Sequence, residues 1–391
     1  MPPISAEAAP LDGLVVADFT RVLSGPYCTM LLGDMGARVV KIEQPGRGDD
    51  TRAWGPPFVG SESAYFLSVN RNKESLALDL KAPGAARVIG ALLDRADVLV
   101  ENFRPGTMDR LGFGWEQVVR RWPRLVYCSI SGFGQTGPRR DEPGYDAVIQ
   151  GESGLMSITG DPDGPPFRLG VAIADVVTGM YAAHGVAMAL LARARTGRGQ
   201  RVDVGMLDAA VSLLTYQAGS YFASGVVPDR MGNRHPTIVP YETFAAADGE
   251  FVLAVGNDDL FRQFCEAIGQ PALAADARFA TNRARVEHHA ELRPALDGVL
   301  RSRTRSDWDA VLKAAGIPCG SVRRVDEVLA DPQLEARSMI ETVEHAVAGA
   351  VRVLGLPVKL SATPGAIRRP PPALGQHTAA ILTELGFGDG Y

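Results

Sequence analysis

The sequence predicts an α/β protein, with a Rossmann-like parallel sheet in a large domain and a smaller α+β domain beside it. Three observations carry this reading: β-branched runs alternate with helical stretches through the first 200 residues, the pattern breaks into Pro- and Gly-rich sequence near Gly225, and the chain is 391 residues long. Strand–helix–strand alternation builds a parallel sheet with helices on both faces. A chain of this length exceeds one small core and favours two domains.

In chain order, LVVADF (14–19) reads as a strand, residues 27–35 after Gly25 and Pro26 as a helix, and ARVVKIE (37–43) as a second buried strand. The pattern recurs as SLALDL (75–80), a helix over 84–95, the strand DVLVEN from Asp97, a helix over 115–121 and LVYCSIS. After Gly170 a helix carries the small residues Gly179, Ala182, Ala183, Gly185, Ala187 and Ala189 and ends in basic residues and Gly197. A strand QRVDVGM and a helix over 207–224 follow. Residues 1–200 and 330–391 are therefore expected to form the large domain and 225–325 the small one, with 201–224 and 326–329 as linkers.

The composition, 46% hydrophobic and 22% charged, suits a packed globular enzyme. A formal charge of -5 offers no broad basic field, so nucleic acid is not an expected partner. Cys28, Cys128, Cys265 and Cys319 are widely spaced, with no CxxC pair and no zinc-knuckle spacing; reduced thiols and no metal are expected. The opening MPPISAEAAP lacks a basic run followed by an apolar one, so a loose leader and a cytoplasmic location are expected. The longest apolar stretch, 180–192, is interrupted by His184 and Gly185 and falls short of the ~20 residues of a spanning helix. No membrane span is expected.

GFGQTG (132–137) follows a strand and satisfies GxGxxG, the dinucleotide fingerprint, but the next residues are Pro138 to Pro143 and leave no helix N-terminus for a pyrophosphate. A glycine loop beside a ligand is the better reading. Asp175 opens the small-residue helix, where a carboxylate caps the helix and is itself kept ionised by the positive helix end. An ionised, partly desolvated carboxylate is also a usable nucleophile. His184, on an apolar face, reads as a packed core residue without a role. Tyr145 and Asp146 in GYDAV, and Trp54, Arg52, Arg168, Arg234 and His235 in Gly- and Pro-rich surroundings, are candidate ligand contacts.

Taken together, LDGLVVADFTRVLSGP, LLGDMGARVVKIE, NRNKESLALDLK, ADVLVENFRPGTMDRLGF, SISGFGQTGP, GYDAV, ADVVTG, TGRGQRVDVGMLDA, GIPCG and LGQHT resemble the class III CoA-transferases, which include formyl-CoA transferase, carnitine CoA-transferase and the α-methylacyl-CoA racemases. The resemblance runs through nearly the whole chain. It implies a catalytic aspartate at Asp175, CoA contacts at Leu78, Leu80, Lys81, Asn102, Phe103 and Arg110, and an interlocked homodimer. CoA and acyl-CoA would be co-substrates, with no permanently bound cofactor. The implied chemistry runs through mixed anhydrides and an aspartyl-CoA thioester on Asp175, with backbone amides at Gly256 and Asn257 as candidate oxyanion donors.

Arg21 stands where formyl-CoA transferase has a histidine and Leu23 where it has a glutamine, so formate and oxalate are not the expected acids. GYDAVIQGESGLMSITG, HPTIVPYETF and RPPPALGQHT look closer to members that move CoA from succinyl-CoA to dicarboxylates. Arg21, Arg52, Arg168, Arg234 and His235 are the candidates for reading the distal carboxylate, because a guanidinium binds carboxylate bidentately.

Three other functions compete. A racemase on the same fold pairs a histidine with the aspartate, but the histidine's place here is Tyr145, whose pKa near 10 makes a poor neutral-pH base. A NAD-dependent dehydrogenase needs the phosphate-binding helix that GFGQTG lacks. A non-catalytic acyl-CoA binding protein would have no need of Asp175.

Overall fold

The computed structural model describes residues 8–388, which fall into two compact units. The first comprises the chain up to Leu155, Arg168–Phe222 and everything from Pro332; the second comprises Met156–Phe167 and Ala223–Asp331.

Six parallel strands form the first unit's sheet: β1 (Val15–Asp18), β2 (Arg38–Glu43), β3 (Lys73–Ala77), β4 (Val98–Glu101), β5 (Val126–Ser131) and β6 (Arg201–Gly205). Their order is β3-β2-β1-β4-β5-β6, the Rossmann order, so the chain reverses its direction of travel between β1 and β4. Alternate residues feed two cores. Ala17, Val40, Leu76, Leu99 and Tyr127 face one side, packed with Val88, Ile89 and Leu92 of α2 (Ala85–Leu93). Val16, Val39, Val98, Val126 and Cys128 face the other, against Cys28 and Leu32 of α1 (Ser24–Asp34). Burial on both faces is why these strands read as continuous apolar runs.

The small-residue helix (Ile173–Thr196) covers that second face with Ala182, Val186 and Ala189. Its 24 residues are longer than the apolar stretch read from sequence, and by length and composition it could cross a bilayer. In this fold half of it packs as a core helix. His184 lies on its exposed face and not in the core, as does Met180.

Three features differ from the sequence expectation. Residues 201–205 are not linker but the sheet's sixth strand, paired to β5 with Tyr127 opposite Arg201 and Ser131 opposite Gly205. The single helix expected over 207–224 is two, Met206–Ser212 and Thr215–Ser224, broken where Thr215 takes φ 36°. Residues 156–167 join the second unit, where Gly232 donates its amide to the Gly160 carbonyl at 3.0 Å.

The C-terminal return belongs to the first unit through specific anchors. The buried Asp34–Arg71 pair (2.6 Å) continues to the Leu354 carbonyl, Asn72 binds Ala366, and Ile381 of the helix Thr378–Glu384 enters the core beside α2.

The second unit is α+β. Tyr241–Ala246, Gly249–Ala254 and Cys319–Ser321 form an antiparallel sheet with Gly249–Ala254 in the centre. Phe244, Phe251, Leu253, Phe261, Phe264, Leu292, Leu296, Trp308 and Leu312 make its core. All four cysteines are free thiols.

Candidate active site

Ligands of open α/β sheets bind beyond the carboxyl ends of the strands, where the strand order reverses. Here that place is the pair of loops after β1 and β4, and a cavity of about 160 Å3 opens there. Its wall takes Arg21, Val22 and Ser24 from the first loop, Asn102 to Pro105 from the second, Gly132, Gly144 and Tyr145 from the glycine segment, and Asp175. A second cavity of about 270 Å3 runs over the ends of β2 and β3, against Leu78, Leu80 and Lys81. The two share Arg21, Asp50 and Phe103, so five of the residues assigned to CoA by resemblance, Leu78, Leu80, Lys81, Asn102 and Phe103, border the same adjoining spaces as Asp175.

We label the small-residue helix α4 and the helix Asp146–Glu152 α3. Asp175 is the third residue of α4 and caps nothing: the residue at the cap position is Ala172, which makes no side-chain cap. The cap comes from α3, where Asp146 Oδ1 accepts the Ala174 amide at 2.9 Å. Gln150 Nε2 holds the other Asp146 oxygen at 2.7 Å, and Gln150 Oε1 accepts the Leu169 amide at 2.8 Å, bracing the approach to α4. Asp146 is thus a support for α4, not a free contact for substrate.

The expectation that the helix end alone keeps Asp175 ionised needs correction. Burial, and then the negative charge of Asp146, push its pKa up to about 6, while hydrogen bonds from the Ser24 hydroxyl and amide oppose the shift. The carboxylate is still mostly ionised at neutral pH, and more nucleophilic for its weak solvation. Tyr65 stands in the same field; burial and then Asp175 raise its phenol to about 12. If ionised Asp175 attacks, kcat/KM is expected to fall tenfold per pH unit below about 6. Asp146→Asn keeps an oxygen for Ala174 and removes the charge, so the acid limb of a pH–rate profile should move lower. An unmoved limb would show that another group sets it.

Two close approaches fix the site, and each requires glycine. A Cβ on Gly179 would lie 2.6 Å from the Ser24 carbonyl oxygen, so glycine lets α4 approach α1 closely enough for Ser24 to reach Asp175. A Cβ on Gly132 would lie 2.8 Å from Gly144 Cα, so the loop after β5 and the segment before α3 cross backbone to backbone. GFGQTG is therefore a packing and wall element. Turns occupy the chain from its first glycine to α3, and no helix follows it at once.

The other candidates are distributed as follows. Arg21 lies on the wall of both cavities, half-exposed, with Asp50 at 3.5 Å and the Phe103 ring at 5.3 Å. Arg52 is spent elsewhere: it grips buried Glu43 through two 2.8 Å bonds, reaches the Pro372 carbonyl and lies 3.6 Å from the Phe66 ring centre. It is structural, since releasing it would strand a buried carboxylate. Trp54 is exposed and meets Tyr65 edge-on at 5.2 Å, and it lines neither cavity. Tyr145 is 66% exposed on the first cavity's wall. Arg168 and Arg110 are exposed and line neither, Arg110 bonding Thr107 at 2.9 Å. Arg234 and His235 belong to the second unit, Arg234 contacting His289 at 3.1 Å and His235 packing on Tyr241. Gly256 and Asn257 are also there; the Asn257 side chain caps the helix Asp258–Ala267 by accepting the Leu260 amide at 2.8 Å.

Sequence reasoning missed Ser24, Asp50 and Arg104 on the first cavity's wall, together with the buried Lys41–Asp49 pair beneath them. Ser24 had a usable signal, a hydroxyl residue just before Gly-Pro where a strand turns into a helix. Lys41 had none, because nothing within RVVKIE names the partners that a lysine in a buried strand would need.

Comparison with known proteins follows the same lines. CoA-transferase family III matches residues 11–378. The chain is 43% identical over 96% of its length to succinate--glutarate CoA-transferase of Agrobacterium fabrum, covering 96% of that protein. It is 45% identical to acetyl-CoA:oxalate CoA-transferase of Acetobacter aceti, with 96% of each covered. A crystal structure of a CAIB/BAIF family protein from Brucella suis superimposes with TM-score 0.86 at 42% identity, over 97% of this chain and 100% of that one. With the Rossmann strand order and the cavity at its switch point, these matches show that the chain is a member of CoA-transferase family III.

Proposed function

We propose that the protein transfers CoA from succinyl-CoA to a dicarboxylic acid, with Asp175 as covalent relay. Support comes first from Asp175 itself, a carboxylate withdrawn from water on the wall of the switch-point cavity, which it shares with Ser24, in a chain of this family. Relatives named for glutarate, D-citramalate and mesaconate as acceptors and succinyl-CoA as donor support the substrate class. The relative named for oxalate, itself a dicarboxylate, keeps that acid among the acceptors.

In this reading Asp175 attacks the donor thioester carbonyl, giving a mixed anhydride and CoA thiolate. The thiolate attacks the aspartyl carbonyl, and the donor acid leaves with an aspartyl-CoA thioester on the enzyme. The acceptor carboxylate attacks that thioester and expels thiolate. The thiolate then takes the acyl group from the second anhydride, restoring the Asp175 carboxylate. Thioester energy is conserved if water stays out of the intermediates. Gly256 and Asn257 remain candidate oxyanion donors on their amide chemistry, and Leu78, Leu80, Lys81, Asn102, Phe103 and Arg110 candidate CoA contacts by resemblance.

Of the five groups considered for the distal carboxylate, Arg21 is the best placed: it borders both cavities, and its only carboxylate neighbour among the described residues is at 3.5 Å. Arg21→Ala should raise the acceptor KM roughly tenfold or more, the effect of losing a charge-assisted pair. With an acyl-CoA that lacks a second carboxylate as donor, the donor KM should change little. Equal use of monocarboxylates and dicarboxylates by the wild type would overturn the substrate class.

A homodimer in the cytoplasm completes the proposal. Met180, Tyr181, Met188 and Leu191 on α4 and Tyr221 and Phe222 beyond it are exposed large apolar residues in the first unit, side chains that a partner chain would cover favourably. A monomer at micromolar concentration in analytical ultracentrifugation would count against the dimer.

A further inference from the structure

The loop between β1 and α1 carries an unusual residue. Val22 has φ 68°, left-handed backbone that a β-branched side chain avoids. It is also where precision matters, because Val22 lines the cavity of Asp175, and Ser24, two residues on, shares that wall with Asp175 and turns its hydroxyl and amide toward the carboxylate, opposing the rise in its pKa. Strained backbone persists only where its surroundings over-determine it, and here the surroundings are identifiable.

Beneath the loop lies a group of charged side chains with no exposed surface. Lys41 Nζ, on β2, donates to the Thr20 carbonyl at 2.8 Å and to Asp49 Oδ2 at 2.9 Å. Asp49 Oδ1 accepts the Val22 amide at 3.2 Å and is fixed by the Thr51 amide and hydroxyl at 3.0 and 2.8 Å. Lys41 and Asp49 thus grip the peptide groups on either side of Arg21. From the opposite side Asn102 accepts the Arg21 amide at 2.8 Å and donates to its carbonyl at 2.7 Å. Asp18, paired with buried Lys73 at 3.2 Å, holds the Thr20 amide and hydroxyl at 2.9 and 2.6 Å.

We infer that Lys41 is a positioning residue for CoA transfer: with Asp49 it clamps Val22 in its left-handed conformation, and so places Ser24 against Asp175. This rests on the reading of Asp175 as nucleophile. A merely structural Lys41 would support stability alone, because any buried lysine paired with a carboxylate is costly to remove. The clamp makes a different demand. Once released, Val22 relaxes to an ordinary φ and carries Ser24 with it, and a misplacement of about 1 Å at a reacting group costs ~100-fold. A glycine at 22 has no such preference and removes the drive to relax.

The test is a cycle of Lys41→Met and Val22→Gly on the full-length protein, scored by kcat, KM for the acyl-CoA donor and Tm. Lys41→Met in the wild-type background should lower kcat by roughly 10- to 100-fold with donor KM changed less than about 3-fold. Added to Val22→Gly, the same change should lower kcat by less than about 3-fold, even though Tm falls equally in both backgrounds. Asp49→Asn is the second variant if Lys41→Met does not fold; it is isosteric, and its NH2 must face either Lys41 or the donors Val22 and Thr51. The same rescue by Val22→Gly is expected. Equal kcat losses in the two backgrounds, or no kcat loss, overturn the inference. Asp175→Asn, run alongside, separates the failures: if it keeps wild-type rate the nucleophile assignment is wrong, and if it is inactive while the cycle is additive only the clamp is wrong.

Discussion

Asp175→Asn is expected to lose at least about a thousandfold in transfer rate, the scale of removing a covalent nucleophile, while gaining stability at neutral pH. The gain follows from the raised pKa. The folded carboxylate titrates at about 6 against 3.8 when unperturbed, so the folded state resists ionising it. This cost is absent below about pH 4 and present in full above about 6, as for any acid whose folded pKa is raised. Allowing for its partial exposure, it amounts to about 1–2 kcal/mol. Removal of the charge should therefore raise Tm at pH 7.5, and the difference from wild type should vanish near pH 4. Incubation of wild type with acyl-CoA and no acceptor should leave CoA on the peptide containing Asp175, and hydroxylamine should convert that aspartate to a hydroxamate. Wild-type rates in Asp175→Asn protein free of deamidation would sink the assignment. A dead but less stable variant would instead show that Asp175 supports the fold.

The second large effect is expected at a residue without chemistry. Gly179→Ala puts a Cβ 2.6 Å from the Ser24 carbonyl oxygen and 3.1 Å from the Tyr27 ring. The obstacle is backbone, so α1 and α4 must separate, and Ser24 leaves Asp175. Overpacking of this kind costs about 1–3 kcal/mol. The accompanying displacement near the carboxylate should cost ~100-fold in kcat. Loss of the Ser24 hydrogen bonds, which lower the Asp175 pKa, should also move the acid limb of the pH–rate profile upward. A folded Gly179→Ala protein with kcat within threefold of wild type would show that the close approach of the helices is not what sets the site.

The sequence by itself determined the α/β class, the succession of sheet strands and the family. Period and composition are local, and strands buried on both faces announce themselves as apolar runs, as VVAD, RVVKIE and VYCSIS do. It also marked the failure of GFGQTG as a nucleotide loop, because that turns on neighbours within a few residues; Asp175 was singled out by the family resemblance along the whole chain, while its local role as a helix cap did not hold. Only the tertiary structure decided which charges are available. Arg21 and Arg52 look alike in sequence, yet Glu43 takes Arg52 and leaves Arg21 on the cavity wall. Asp146 was legible as a polar residue near Tyr145, but its partner Ala174 lies 28 residues away. The same holds for the Asp175 pKa, where burial and Asp146 outweigh the local helix end. Lys41 lies in a strand legible as buried, but how its charge is satisfied was not legible, since its partners Thr20 and Asp49 meet it only when β1 and β2 pair. A side chain's role is set by what has already claimed its hydrogen bonds, and that is fixed by contacts distant in the chain.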